Sequence, residues 1–319
     1  MFCRAIRSWL IVVLLVPASS FAGTIYVSNV IGNDRANGLF PEIGGGDNGP
    51  VATIGRALKI VQGTDAIVIA NTGLPYVESV TFDRPDLQGT VRYPIVIEGN
   101  GATLRGAQRL SPDLWRRVGE GTYRFQPFRK GHYQLAVNGT PATEVRADEI
   151  AASPPRLEPL QWCAWHGHVY FRVEPTKFID QYELEAPLFD VGLGLHNARN
   201  VVVRNLKFEL FRLDGIAVTG NSRNVQILNV RSTANGRAGL SVSGTSQVTV
   251  GGLEMAGNRI AEQLTLLKGR ISGLPETDVP AKPAPQAWDL KSNRYVRIVT
   301  PRPDQPPTST AGKPAPTRR

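Results

Sequence analysis

The sequence predicts an all-β solenoid, a right-handed parallel β-helix, and three observations predict it. The segment Asn197 to Gly220, NARNVVVRNLKFELFRLDGIAVTG, lies without a gap over Asn221 to Gly244, NSRNVQILNVRSTANGRAGLSVSG, which sets a period of 24 residues. Each unit holds short alternating runs bounded by glycine or asparagine, with no room for a helix. A third, degraded copy, SQVTVGGLEM, keeps Val248, Val250, Leu253 and Met255 at the apolar positions. A unit this small cannot bury an apolar face alone, so the units must stack.

Within a unit, Val201 and Val203 alternate with Val202 and Arg204, and Val225 and Ile227 repeat the pattern. The parity then shifts at Asn205 and Asn229, so that Leu206 and Phe208 become the inward pair, with Val230 stacked on Leu206. Asparagine tolerates the left-handed backbone that a sharp corner needs. A third run follows Gly215 and Gly239, with Ile216 and Val218 over Leu240 and Val242. A leucine-rich repeat has a similar period, but it requires apolar residues where Gln226 and Asn224 stand.

The remaining elements follow in chain order. Residues 1–22 read as a secretory signal peptide: Arg4 and Arg7, an apolar run from Trp9 to Val16, Pro17, then small residues. Residues 23–106 form an N-terminal cap and the first coils, with strands in TIYVS, AIVIAN, VESVTF and PIVIEGN. Between the first two, Thr53 N-caps a short helix that presents Ile54, Ala57, Leu58 and Val61 on one face. Residues 107–187 break the rhythm and are rich in aromatics. Turns at Asn138–Gly139 and His166–Gly167 predict a small antiparallel β insertion. The coils resume over 188–258. In 259–274 the spacing of Ile260, Leu264 and Leu267 predicts a C-terminal capping helix. Ten of the chain's 24 prolines fall in 275–319, which reads as a basic, disordered tail with NRYVRIV as its one strand-like stretch.

The formal charge is +9, and the two leader arginines leave +7 on the mature chain. For an exported, monomeric protein with no transmembrane segment, that balance points to an acidic glycan or an anionic envelope rather than nucleic acid. The expected location is secreted, periplasmic or cell-envelope. Cys163 is the one cysteine left after the leader, and it reads as a small buried hydrophobe. With His166 and His168 it falls short of four zinc ligands, so no metal site is expected there, and no cofactor is evident in the sequence.

Several stretches resemble exported proteins of the pectin-lyase-like superfamily: YVS (26–28), GND (32–34), PVATIGRAL (50–58), AIVIANTGLPY (66–76) and YPIVIEGNGATLRGA (93–107). The insertion, with W…GTYRF followed by QLAVNGTPA, is also similar to that group. The resemblance covers residues 23–258 and implies the β-helix fold. It implies no single activity, because the superfamily holds lyases, hydrolases, epimerases and proteins of no known activity. The WIDH-type, RxPxxR-type and GHG motifs of its pectate lyases and polygalacturonases are absent.

The repeat register singles out the candidate site. It stacks Arg199 on Arg223 and Lys207 on Arg231, and like charges directly opposite are mildly destabilising unless an anion bridges them. A uronate lyase needs a cation on the substrate carboxylate, for which Arg231 or Arg237 would serve, and a base, for which Lys207 would serve. A glycosidase needs two carboxylates, for which Glu209 and Asp214 are the pair in the repeats. Asp190, His196, Arg212 and Asn235 enter the same region as candidate binding residues, with Arg199, Arg223 and Arg237. Two functions stay open: binding or processing of an anionic polysaccharide, and a non-catalytic envelope or matrix protein.

Overall fold

The computed structural model describes residues 23–274 except Thr64 and Glu149, together with the strands Gln286–Asp289 and Arg294–Arg297. The expected leader and most of the expected tail lie outside the described residues. The two last strands pair with each other as an antiparallel hairpin rather than joining the stack.

Three parallel sheets form a solenoid. The long sheet stacks Thr24–Val27, Ala66–Ile69, Ile95–Glu98, Arg199–Arg204, Arg223–Leu228, Gln247–Gly251 and Arg270–Gly273, in that order. A short sheet stacks Thr103–Arg105, Lys207–Glu209, Arg231–Thr233 and Glu254–Ala256. A third sheet stacks Val80–Phe82, Val191–His196, Asp214–Thr219, Ala238–Val242 and Ala261–Thr265. Their inward residues form columns. Ile97, Val203, Ile227 and Val250 are in register on the long sheet, and Leu193, Ile216 and Leu240 on the third. These columns make one buried core. Asn205 and Asn229 turn the corner between long and short sheets with φ of 58° and 52°. Adjacent rungs of a sheet lie about 4.8 Å apart, so each column repeats its chemistry at that spacing.

The N-terminal turn explains the GND stretch. One Asp34 carboxylate oxygen accepts the backbone N–H groups of Ala52 and Thr53, and the other accepts the Thr53 hydroxyl, each at 2.9 Å. Thr53 then caps the helix Ile54–Ile60 by accepting from the N–H of Arg56 at 3.0 Å. The Glu78 carboxylate takes the N–H groups of Ile54 and Gly55, although burial pushes its pKa up against those bonds. Ile54, Ala57, Leu58 and Val61 pack into the main core, as their spacing predicts.

The insertion leaves and re-enters at one point. Leu188 and Phe189 both donate their N–H to the carbonyl of Gly106. Ile95–Glu98 therefore pairs directly with Arg199–Arg204, and the stack stays closed beneath the excursion. Within the excursion, a five-stranded and a four-stranded sheet enclose a separate core that includes Trp115, Phe125, Trp162, Phe171 and Tyr182. Both predicted hairpins form, with Val137 opposite Thr140 and Trp165 opposite His168. One pair, Thr143–Glu144 with Gln161–Trp165, is parallel, so the insertion is not wholly antiparallel.

The C-terminal end differs from expectation. The helix predicted within 259–274 is not formed. Ala261–Thr265 and Arg270–Gly273 instead add a further rung to the third and long sheets. The helical spacing of Ile260, Leu264 and Leu267 was coincidental, since Ile260 and Leu267 are exposed. The unpaired N–H and C=O groups of the strand Ala238–Val242 are satisfied by another strand and would not be by a helix.

The insertion docks on the stack through a backbone contact. A Cβ at Gly236 would stand 2.2 Å from the carbonyl oxygen of Arg212 and 2.4 Å from that of His132. Neither backbone can yield without parting the insertion from the coil. Gly236→Ala is expected to lower stability by about 3 kcal/mol, read as a shift of the denaturant midpoint. A near-neutral result would mean that the two bodies are not held this closely.

Candidate functional site

The short sheet is the floor of a groove of about 740 Å³. Lys207, Glu209, Arg231 and Thr233 rise from that floor, because alternate residues of a strand point to opposite faces. The insertion supplies the facing wall through Gln134, Ala142, Glu144 and Arg146, and Asn258 and Arg259 close the C-terminal side. The insertion thus walls the floor rather than covering it.

Each groove carboxylate is tied to an arginine. Arg105, one rung below Glu209, is buried and donates to Glu209 at 2.5 Å, to Glu185 and to the carbonyl of Gly139 at 3.2 Å. Glu185 and Gly139 belong to the insertion, so this buried guanidinium joins wall to floor. Glu144 accepts from Nε of Arg259 at 3.1 Å and from a terminal nitrogen at 2.8 Å. Arg146 reaches back to the carbonyl of Arg259 at 3.0 Å. Gln134 donates to the carbonyl of Asn235 at 3.2 Å, and a ring nitrogen of His132 lies 3.1 Å from the carbonyl of Gly236.

Lys207 and Arg231 differ from these groups. They are in register on adjacent rungs and exposed. Neither side chain has an ion-pair or hydrogen-bond partner among the described residues. The groove is lined by four cations and two carboxylates; Glu144 is paired with Arg259, and Glu209 shares the Arg105 guanidinium with Glu185. The groove's positive charge therefore comes from these two stacked cations together with Arg146, which bonds a neutral carbonyl.

The structure disperses the other candidates. Asp214 is fully buried on the third sheet. It accepts from Arg237 at 2.9 Å and through a second, shorter bond, and from the hydroxyl of Ser241 at 2.6 Å. It therefore cannot pair with Glu209 across a substrate. Arg237, held above its ordinary pKa by its bonds to Asp214, is spent on that contact and does not line the groove. Asn235 is also fully buried. It accepts the N–H of Phe211 at 3.1 Å and donates to Asn258 at 2.8 Å and Ser232 at 3.0 Å, which makes it a rung of an internal amide ladder. Asp190 holds Arg212 at 2.7 Å and Arg129 at 2.8 Å beside the insertion. His196 lies at the far end of its strand, 2.9 Å from the hydroxyl of Thr219. Arg199 and Arg223 are in register as predicted, but on the long sheet away from the groove, and Arg223 bonds the carbonyl of Thr245.

Sequence reasoning missed Arg105, Gln134, Glu144, Arg146 and Arg259. One signal was present for Arg105: TLR at 103–105 aligns on KFE at 207–209, which stacks Arg105 under Glu209. The alignment is masked by two extra residues in the lower corner, where Asn100 and Gly101 both take positive φ. No group of three or more potential metal ligands occurs among the described residues. Burial pushes the Cys163 thiol up to about 11, so it is a protonated, unreactive thiol at neutral pH.

No family model matches this chain, and no curated protein matches it. Solved structures do resemble it. A glycoside hydrolase aligns with a TM-score of 0.51 at 14% identity, over 73% of this chain and 65% of its own. XylC in complex with xylose aligns at 0.42 and 11%, over 76% of this chain and 63% of its own. The lacto-N-biosidase of glycoside hydrolase family 136 from Eubacterium ramulus aligns at 0.40 and 11%, over 74% of this chain and 34% of its own. The class these findings define is the β-solenoid fold. The chain spans 65% of the length of the first of these relatives, and at 14% identity the likeness is one of fold alone.

Two outcomes follow for the wall and its anchors. Removing one partner of a buried ion pair strands the other charge. Arg105→Ala is expected to cost about 3 kcal/mol, the low end of the usual range because Glu185 and Glu209 retain some water, as measured by denaturant unfolding. The second outcome concerns acid. The bonds from Arg212, and then Arg129, hold the Asp190 carboxyl below the usual carboxylate range. That stability is present above the unfolded-state value of about 3.9 and is lost as pH falls through the lower folded value. Asp190→Asn should therefore flatten the loss of stability below about pH 4. An unchanged acid limb would show that the ion pair does not contribute there.

Proposed function

We propose that this is an exported member of the pectin-lyase-like superfamily whose groove binds or processes an acidic polysaccharide. One observation carries the reading: Lys207 and Arg231 stand one rung apart on the groove floor and neither side chain is in an ion pair among the described residues, although Glu254 follows Arg231 in register on the next rung. A rung spacing of about 4.8 Å is comparable to one sugar residue of an extended glycan. Successive uronate carboxylates would then meet successive cations. The leader, the basic charge and the sequence resemblance support export and class. The structural likeness to a glycoside hydrolase supports a carbohydrate ligand in general.

Of the two chemistries considered, elimination fits the groove better than hydrolysis. Hydrolysis needs an acid and a second carboxylate flanking the bond, whereas Asp214 is buried and Glu209 is bound to Arg105. In elimination, Arg231 would neutralise a uronate carboxylate and acidify its α-proton. Lys207, after giving its ammonium proton to water, would take that α-proton as the bond from the β-carbon to the glycosidic oxygen breaks, and the departing oxygen would take a proton from water, leaving an unsaturated uronate. The pairing of both groove carboxylates with arginine also suits a second reading, in which the glycan is held without cleavage as part of an envelope or matrix.

A single experiment separates these. Calorimetry with polyuronates and a neutral glucan should give salt-sensitive binding to the acidic polymers only. Lys207→Ala and Arg231→Ala should each weaken it about tenfold. Absorbance of unsaturated uronate should appear with wild type and vanish in Lys207→Ala. Binding without that product selects the non-catalytic reading. Binding indifferent to both substitutions and to polymer charge overturns the groove assignment.

A further inference from the structure

A second cavity, of about 450 Å³, opens in the insertion on the other side of Gln134, which lines both spaces. It is outside the groove already described, and its walls are of another kind. Leu110, Phe125, Val169 and Leu188 line its body, with Phe128 and Tyr133 toward the loop 126–133. Leu110, Phe125 and Val169 are buried, whereas the Phe128 ring is wholly exposed to water. An apolar body of this size, with a few polar groups at one end, is the ordinary form of a small-molecule pocket.

The polar end is built from charges. Arg129 and Arg212 line the cavity and share a single acceptor, Oδ1 of Asp190. Arg212 uses only its Nε in that contact, so both of its terminal nitrogens remain as donors. A guanidinium carries five N–H groups in a planar fork that matches a carboxylate. Two cations on one anion leave a net positive charge at the end of an apolar slot. Its side chain 18% exposed, Arg212 is held more firmly than a surface arginine.

We infer that this slot is a binding site for an amphipathic monoanion, an aliphatic or aryl carboxylate with its apolar body against Phe125 and Val169 and its head on Arg129 and Arg212. A wholly apolar ligand would leave the arginine donors unmet. A dianion would exceed the one charge left over by Asp190. A glycan fits the body poorly, because most of the wall surface is apolar. This site does not depend on the polysaccharide reading of the groove.

The test uses the mature protein with octanoate and its neutral analogue 1-octanol, each titrated by calorimetry and followed by ligand-detected NMR. Trp115, whose ring lies 4.6 Å from that of Phe125, gives an independent fluorescence signal. Octanoate should bind saturably at one site and at least tenfold more tightly than octanol. Arg129→Ala, at a largely exposed position, should erase that preference and leave octanol binding unchanged. Phe128→Ala, also exposed, should weaken both ligands. Lys207→Ala should change neither, which separates this site from the groove. The proposal is overturned if octanoate does not saturate, if octanol binds as tightly, or if neither Arg129→Ala nor Phe128→Ala has an effect.

Discussion

In-register stacking of parallel strands is the constraint on which the rest of this molecule depends. Each residue of a coil is placed over its counterpart about 4.8 Å away, so whatever one coil does, the next does beside it. Apolar columns gain from this arrangement, as the series Ile95, Val201, Val225 and Val248 illustrates. Amide columns gain too: Asn258 bonds Asn235, and Asn235 bonds the N–H of Phe211. Charge columns lose, because like charges are brought together. A basic pair on a stack must therefore be offset by a neighbour or by something from outside.

The coils offset some of their buried charges among themselves, as Arg237 does Asp214, and others with partners drawn from the insertion. Arg105 holds Glu185, Arg259 holds Glu144, and Arg129 joins Arg212 on Asp190. The same contacts position the wall. An insertion that leaves and re-enters at Gly106 would otherwise be a body on a two-strand tether. Ion pairs on both sides of the groove and the close approach at Gly236 remove that freedom. The groove is thus a product of docking. It is not inherent in the solenoid, whose bare short sheet would be an open face.

This accounts for what could be read from the sequence. The repeat fixes parity, so the inward residues, the corners at Asn205 and Asn229 and the stacking of Lys207 on Arg231 were all legible. The helix cap at Thr53 was legible because capping is local. The last rung was misread because Ile260, Leu264 and Leu267 carry helical spacing, and nothing local reveals an unsatisfied strand edge waiting above them. The wall residues were illegible for a related reason. Glu144 and Arg259 are far apart in sequence, and only the docking of the insertion makes them neighbours. Asp214 and Asn235 looked like site residues because polar side chains in a coil loop usually face water. Here the third sheet and the amide ladder turn them inward.

The two predicted basic pairs sharpen the point, since the same repeat produced both. Arg199 over Arg223 sits on the long sheet, where Arg223 reaches a backbone carbonyl one coil on and nothing encloses the pair. Lys207 over Arg231 sits on the short sheet, where the wall encloses the pair and supplies carboxylates already committed to other arginines. Equal register gives equal repulsion, but enclosure makes it less well screened. Only the second pair is left with an unmet charge in a space large enough for a ligand. Register alone therefore does not define a site in a solenoid. A site appears where a register-imposed charge column meets a wall that fails to neutralise it.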